Sequence, residues 1–331
     1  MFIRSILLSC SALLLIGCGG GDNSGDLIEA DSVAPEITLN GESDIEVLLH
    51  AEYIEEGATA VDNVDGSVNV EISGEVDTDK LGKYFISYKA HDSSDNYAEK
   101  KRLVSVVDNL SPEKTKISVL AIYNPEANNL YNGNISTRLN HIIAYSNEIN
   151  DNSGIRVSFN LVHSEEIYLN QDETSMKILE DVQNDENIEK LRNKFSADEV
   201  FIYRPYANDN VCGIAYINKG LYREFAFAHI TVDCPSDTTS HEMGHNFGLA
   251  HSHKQSGDGI FPYSFGHGID GEFATVMAYA SSFNVNENEP VYSSPLLDCK
   301  GQPCGIEEGY SGEADAARTI IEVKEEISKF N

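Results

Sequence analysis

The feature that most constrains this chain is an eleven-residue stretch of histidine, glutamate and glycine at 241–251. It reads His-Glu-Met-Gly-His-Asn-Phe-Gly-Leu-Ala-His, which is the pattern H-E-x-x-H-x-x-G-x-x-H. The chain has only 10 histidines among 331 residues. Chance would therefore produce the pattern on the order of once in 10⁴ chains of this composition. Any fold of the chain has to account for this spacing.

The spacing predicts a helix that ends abruptly. Residues four apart lie nearly one above the other on an α-helix, so His241 and His245 can direct their imidazoles at one point. His251 would lie about 15 Å along the axis from His241 if the helix continued. The helix must therefore stop and turn back, and Gly248 permits this because glycine takes a positive φ without steric cost.

Three converging histidines predict a zinc site. Three neutral imidazoles leave the fourth position of a tetrahedral zinc ion to water, which is an open catalytic site rather than a closed structural one. Zinc lowers the pKa of such a water towards 7, and Glu242 is placed to take its proton and pass it to a leaving amine. The residues thus predict one catalytic zinc ion held by His241, His245 and His251, with Glu242 as the general base.

The extended motif resembles that of the metzincin zinc endopeptidases. That clan has a methionine turn beneath the metal, and Thr275-Val276-Met277-Ala278-Tyr279 is similar to it. The resemblance implies that Met277 forms an apolar floor under the imidazoles. It also implies that Tyr279 can contact zinc and stabilise the oxyanion. The fold it implies for residues 113–331 is an α/β zinc protease domain with a long active-site helix.

Further segments resemble the reprolysin-like bacterial members, including the peptidyl-Asp metallopeptidases. They are Cys212-Gly213-Ile214-Ala215-Tyr216, the strand ending at Cys234, and the tail at 292–295 and 314–318. In that family the strand at Gly213, Ile214 and Ala215 borders the cleft, where a peptide could add as an extra strand. A plain core strand is an equally good interpretation. No cysteine-switch propeptide is visible, and no specificity pocket can be identified.

Periodicity agrees with an α/β unit. Strand-like runs alternate with apolar residues at helical spacing, which predicts helices at 135–150, 174–195 and 312–330.

Residues 34–108 have a different pattern. Short alternating runs separated by turns such as Val64-Asp65-Gly66 predict a small antiparallel β-sandwich. Segments 58–66, 82–84 and 90–96 resemble an immunoglobulin-like module of bacterial surface proteins. Four acids of its turns could ligate calcium, although no specific motif supports this and turn formation explains them as well. They are Asp62, Asp65, Asp92 and Asp95.

The N-terminal residues predict that the protein is exported from the cytoplasm. Residues 1–17 have the positive Arg4 and the apolar run of a signal peptide. Leu15-Ile16-Gly17-Cys18 resembles the lipobox of bacterial lipoproteins, which implies that Cys18 is acylated; an ordinary cleaved signal is the alternative. Residues 18–33 are predicted to be a flexible tether. No aspartate follows Cys18, which by the same resemblance implies the outer membrane or surface of a Gram-negative bacterium, with release from the cell as an alternative.

The remaining four cysteines are Cys212, Cys234, Cys299 and Cys304. An even number in an exported protein suggests two disulfides, for which three connectivities exist. Proximity in the sequence favours Cys212–Cys234 and Cys299–Cys304. A zinc site of four cysteines is the weaker alternative, since no C-x₂-C spacing occurs.

The net charge of the chain limits the kinds of molecule that it can bind. The chain has 54 acidic and 23 basic residues, a net charge of −31, which opposes binding to nucleic-acid phosphates and to anionic lipid. No apolar run reaches the roughly 18 residues of a membrane span, so membrane contact is predicted only through lipid on Cys18.

The sequence therefore predicts a secreted or surface-anchored zinc endopeptidase that acts on proteins or peptides. The competing interpretation is a surface adhesin whose immunoglobulin-like unit binds a ligand and whose zinc site is inactive. The intact Glu242 favours the enzyme, because a site kept only for structure needs no base. A zinc hydrolase acting on a non-peptide bond is a third interpretation.

Overall fold

A computed structural model describes residues 31–107, 114–207, 209–255 and 257–331. The predicted signal, Cys18 and most of the predicted tether lie outside these residues. The described chain consists of an all-β N-terminal unit followed by a mixed α/β unit. None of its helices has the length and apolar character needed to cross a bilayer.

The N-terminal unit is a sandwich of two sheets. Its strands are β1 (Glu36–Leu39), β2 (Asp44–Leu48), β3 (Ala58–Asp62), β4 (Gly66–Val68), β5 (Val70–Ser73), β6 (Gly82–His91) and β7 (Tyr97–Val107). One sheet has the order β1-β3-β4 and the other β2-β7-β6-β5. Alternate residues of β6 and β7, such as Ile86, Tyr88 and Val104, fill the core between them.

One strand pair departs from the predicted antiparallel pattern. The pairs of β1 with β3, β3 with β4, β5 with β6 and β6 with β7 are antiparallel, whereas β2 runs parallel to β7. The prediction of a purely antiparallel sandwich is therefore wrong at this edge. The chain crosses from one sheet to the other after β1, and it arrives beside β7 in the same direction.

The α/β unit is built on a five-stranded sheet. Its strands are β8 (Thr115–Tyr123), β9 (Val157–Glu166), β10 (Glu199–Arg204), β11 (Gly213–Ala215) and β12 (Phe227–Thr231). Their order is β11-β12-β10-β8-β9, and only β11 runs antiparallel to its neighbour. Every residue of β10 is buried, as expected for a central strand covered on both faces.

Helices cover both faces of this sheet. They are α1 (Pro125–Leu130), α2 (Ile135–Asn152), α3 (Ser175–Gln183), α4 (Glu186–Lys194), α5 (Asp237–Asn246) and α6 (Ala316–Ile327). Alternate residues of β8 mark the two faces: Ile117 packs with α2, α5 and α6, whereas Leu120 packs with α3 and α4. The described chain is completed by short strand pairs and 3₁₀ turns, with strands β13 (Ala250–Ser252), β14 (Phe265–Gly266), β15 (Gly268–Ile269), β16 (Phe273–Ala274), β17 (Asp298–Cys299) and β18 (Gln302–Pro303).

The prediction of one helix over 174–195 is wrong, because the structure has two helices there. α3 ends at Gln183, and the carboxylate of Asp185 accepts the N–H of Asn187. An aspartate in that position caps the start of a new helix.

Both favoured disulfides are present. Cys212 is bonded to Cys234, and Cys299 to Cys304, so the alternative of a four-cysteine zinc site is wrong. The Cys212–Cys234 disulfide joins the residue before β11 to the connection between β12 and α5. It therefore links the edge strand of the sheet to the start of α5, the helix that carries His241 and His245.

The two units share a small apolar core. Leu81 of the N-terminal unit is buried in one cluster with Phe273, Leu297 and the Cys299–Cys304 disulfide of the α/β unit. Arg156 forms an ion pair with Glu46 across the same boundary. The N-terminal unit is therefore packed against the α/β unit.

Candidate metal centre

The helix that carries His241 and His245 is α5, which has ten residues. It is shorter than the eighteen-residue α2, so the prediction of a long active-site helix is not confirmed. The helix ends as the glycine spacing predicts. Gly248 has a φ of +84°, its N–H donates to the His245 carbonyl at 2.9 Å, and the N–H of Leu249 donates to the Gly244 carbonyl at 2.9 Å. This pair of bonds is the Schellman termination, which reverses the chain.

After the turn, β13 brings the third histidine back to the helix. The Nε2 atom of His251 lies 3.1 Å from the Nε2 atoms of both His241 and His245. The ring planes of His241 and His245 are nearly perpendicular, at 86°. The structure therefore brings together the three predicted ligands around one point.

Main-chain carbonyls set the tautomers of His241 and His245. Nδ1 of His241 lies 2.8 Å from the Val276 carbonyl, and Nδ1 of His245 lies 2.8 Å from the Leu249 carbonyl. A carbonyl can only accept, so in both rings the proton is assigned to Nδ1 and the lone pair to Nε2. Burial lowers the pKa of all three histidines, that of His241 to about 4. The rings are thus neutral at pH 7, which is the form that binds metal.

This donor set fits zinc. Nitrogen ligands about 2.1 Å from a tetrahedral zinc ion lie roughly 3.4 Å from one another, close to the measured separations. The three histidines are also the one group of the described residues in which imidazoles meet at metal-binding distance. Carbonyl partners on the far side of two rings hold them in place, as is usual for histidines bound to zinc.

Glu242 lies beside this centre and is almost completely buried. It is 4% exposed, and its Oε2 atom has no hydrogen-bond partner in the described part of the chain. Burial raises the pKa of the Glu242 carboxyl to about 8. The carboxylate packs against the backbone of Gly213 in β11, where any larger residue would clash with it. The edge strand and the disulfide at Cys212 thus help to define the space around the predicted base.

Met277 is buried against α5, the helix that carries the first two histidines. Its side chain is fully buried, and its sulfur lies against Gly244, so that a Cβ at that glycine would clash with it. The methionine turn is held by Asn288, whose Nδ2 donates to the carbonyls of Thr275 and Ala278 at 2.7 Å each. Sequence analysis did not identify Asn288, because no local spacing connects it to the motif.

Tyr279 faces the metal centre from the solvent side. It is 46% exposed, and its ring centroid lies 4.4 Å from that of His251 and 5.8 Å from that of His241. Burial and the charge of Glu242 raise the pKa of the Tyr279 hydroxyl. The hydroxyl therefore keeps its proton at neutral pH and is available as a hydrogen-bond donor.

The strand singled out as a candidate substrate-binding edge is β11, formed by Gly213, Ile214 and Ala215. It lies at one end of the five-stranded sheet and pairs with β12. No other strand of residues 31–107, 114–207, 209–255 and 257–331 pairs with its outer side. All three residues are half-buried, unlike the fully buried β10 and β12.

Comparison with known proteins agrees with this architecture. Residues 37–106 match the bacterial surface protein Ig-like domain, and residues 130–308 match the reprolysin-like metallopeptidases of family M12B. A peptidyl-Asp metalloendopeptidase of Pseudomonas aeruginosa is 30% identical over 243 residues, covering 65% of this chain and 40% of the relative. One of Stenotrophomonas maltophilia is 28% identical over 228 residues, covering 65% and 52%.

The matches cover only part of the length of the similar proteins. The chain spans about half or less of the length of these curated relatives. A solved chaperone–substrate complex resembles 74% of the chain with a TM-score of 0.55, over 42% of the solved chain, but at 21% sequence identity it shows a shared fold alone. The family match itself covers more than half of the chain and includes the whole histidine motif. The chain belongs to the reprolysin-like metallopeptidases of family M12B.

Proposed function

We propose that this chain is a zinc-dependent endopeptidase that hydrolyses peptide bonds in proteins. The observation that carries the proposal is the convergence of the Nε2 atoms of the three histidines beside the buried side chain of Glu242. Family membership supports it, as do relatives that bear the name peptidyl-Asp metalloendopeptidase.

Each residue of the histidine centre has a separate role in the proposed reaction. Zinc held by the three histidines would supply a Lewis acid that acidifies a water and polarises the substrate carbonyl. Glu242 takes the proton of the attacking water on Oε2 and delivers it to the leaving amine nitrogen. Burial raises the pKa of the Glu242 carboxyl, whereas the positive charge of bound zinc would lower it and favour the carboxylate that accepts the first proton. The Tyr279 hydroxyl donates a hydrogen bond to the oxygen on which negative charge develops.

The substrate is proposed to bind along β11. An extended peptide can pair with the outer side of an edge strand through main-chain hydrogen bonds, whatever its side chains. The Glu242 carboxylate packs on Gly213 of this strand, so a peptide bound there would pass beside the base. The name of the relatives makes bonds next to aspartate the first to examine.

Product analysis tests the proposed function. Purified protein is incubated with casein and with a peptide library, and the new termini are identified by mass spectrometry. We expect cleavage that a zinc chelator stops and added zinc restores. Saturable binding to a surface or matrix protein without any chelator-sensitive hydrolysis would instead support the adhesin interpretation. Hydrolysis of a non-peptide bond alone would support the third one.

Export and anchoring are a separate part of the proposal and depend on Cys18, which lies outside the described residues. Acylation of Cys18 would hold the enzyme at the outer membrane or cell surface. Replacement of Cys18 by serine is expected to abolish palmitate labelling and membrane retention of the full chain. Unchanged retention of the Cys18→Ser protein would rule out the lipid anchor without affecting the enzymatic proposal.

A further inference from the structure

We infer that Asp31, Asp62 and Asp92 of the N-terminal unit form a calcium-binding site that is separate from the histidine centre. The three residues lie in different segments: the approach to β1, the last position of β3 and the β6–β7 turn. One carboxylate oxygen of each lies within 4.8 Å of one from each of the others. Of the four acids that the sequence singled out, only Asp62 and Asp92 belong to this group.

The turns do not use all the oxygens of these carboxylates. Oδ1 of Asp62 accepts the N–H groups of Val64 and Asp65 at 2.8 Å each, and Oδ1 of Asp31 accepts the N–H of Val33 at 3.1 Å. Oδ2 of Asp62 and Oδ2 of Asp31 are buried, and neither has a hydrogen-bond partner among the described residues. Turn formation therefore accounts for one oxygen of Asp62 and one of Asp31 and leaves the second oxygen of each unexplained, whereas both oxygens of Asp92 accept hydrogen bonds.

The unused oxygen of Asp62 is deeply buried and charged. The side chain is only 4% exposed, and the N–H groups of Asp65 and Val64 lower the pKa of its carboxyl. No lysine or arginine of the described chain forms an ion pair with Asp31, Asp62 or Asp92. A buried carboxylate oxygen without a donor or a cation is costly, and two further carboxylates nearby add repulsion. A bound cation removes both costs.

The arrangement suits calcium. Calcium takes six to eight oxygen ligands at 2.3–2.6 Å in a flexible geometry, so that two ligands on opposite sides of the ion lie roughly 4.6–5.2 Å apart. The measured limit of 4.8 Å therefore allows all three oxygens to bind one ion. Oxygen ligands with no nitrogen or sulfur among them also select hard cations over zinc.

A bound calcium ion would connect the segment before β1 to the end of β3 and to the β6–β7 turn. Asn96 already connects two of the segments, since its Nδ2 donates to Oδ2 of Asp92 at 2.7 Å and to the Asp31 carbonyl at 3.2 Å. Asp65 joins the two turns through Ser93, whose N–H and hydroxyl both donate to its carboxylate. Calcium would add a third link, at the place where the chain enters the sandwich.

Calcium titration of the full chain tests the inference. The protein carries Glu242→Gln to prevent self-cleavage and is saturated with zinc, so that the histidine centre is already filled. Isothermal titration and scanning calorimetry are expected to show one calcium site with a Kd of about 10⁻⁴–10⁻³ M, typical of extracellular modules, and a Tm that rises with calcium. Asp62→Asn keeps the turn-forming Oδ1 but removes the charge. It is expected to weaken calcium binding by about tenfold or more, since affinity follows the charge of the ligands.

Asp95→Asn is the matched control. Asp95 is exposed in the same β6–β7 turn, has a φ of +65° that asparagine tolerates, and lies outside the group of three. Its calcium affinity is expected to equal that of the parent. The inference is overturned if up to about 10 mM calcium, ten times the upper end of the expected Kd range, produces neither heat nor a shift in Tm. Equal weakening by Asp95→Asn and Asp62→Asn would also overturn it, and an equal Tm rise with magnesium would overturn the assignment to calcium.

Discussion

Replacement of Glu242 by glutamine is expected to lower kcat by about 10²–10⁴-fold, the usual contribution of a general acid–base group. Glutamine has nearly the same shape and fits the same space against Gly213, but its amide cannot take a proton from water. KM is expected to change little and zinc to stay bound, because Glu242 is not one of the three converging histidines. Steady-state kinetics on a peptide that the parent cleaves, together with elemental analysis, measures both effects.

Two further variants make this result specific. Glu307→Gln alters an exposed glutamate of the same unit and is expected to keep the parent rate. Tyr279→Phe removes a single oxyanion donor and is expected to cost no more than the roughly 10²–10³-fold typical of such a donor. If the Glu242→Gln protein retained zinc and cleaved at the normal rate, the assignment of the base would be wrong.

Loss of His245 is expected to remove both zinc and most of the activity, because it removes one of the three proposed zinc ligands. His245 is buried at the end of α5 and is held by the Leu249 carbonyl. Mutation of outer partners of a metal site costs 10–100-fold in metal affinity or activity. We therefore expect His245→Ala to cost more than about 10³-fold in activity and to purify without stoichiometric zinc.

The control for this variant is His253→Ala. His253 lies two residues after His251 but is exposed, and its Nε2 contacts the Glu313 carbonyl rather than the other histidines. Zinc content by elemental analysis and activity are expected to match the parent. Stoichiometric zinc in His245→Ala, or zinc loss in His253→Ala, would contradict the proposed ligand set.

The sequence contains enough information to predict that the three histidines converge, because their geometry is local. Two histidines one helical turn apart, followed by a glycine that permits a positive φ, determine where His251 arrives. The position of Glu242 between the first two histidines likewise predicts which residue can act as the base. Cysteine spacing within the chain likewise indicated both disulfides.

Features that depend on tertiary packing could not be predicted in this way. The carbonyl of Val276 orients His241 from 35 residues away, and Asn288 holds the methionine turn through main-chain carbonyls. Asp31 joins Asp62 and Asp92 only when the sandwich is folded. The break between α3 and α4 is marked by the capping residue Asp185. The apolar periodicity over 174–195 continues across this position and does not reveal the break.

The shared apolar core at Leu81 limits how such a protein can be rearranged by evolution. Modular surface proteins exchange their domains freely when few contacts cross the boundaries. Here Leu81 is buried in one apolar cluster with Phe273 of β16, which lies directly before the segment that contains Met277. Deletion or replacement of the N-terminal unit would therefore expose apolar surface of the α/β unit just before the methionine turn in the chain. The two halves are expected to be inherited as a pair, with compensating changes on both sides of Leu81.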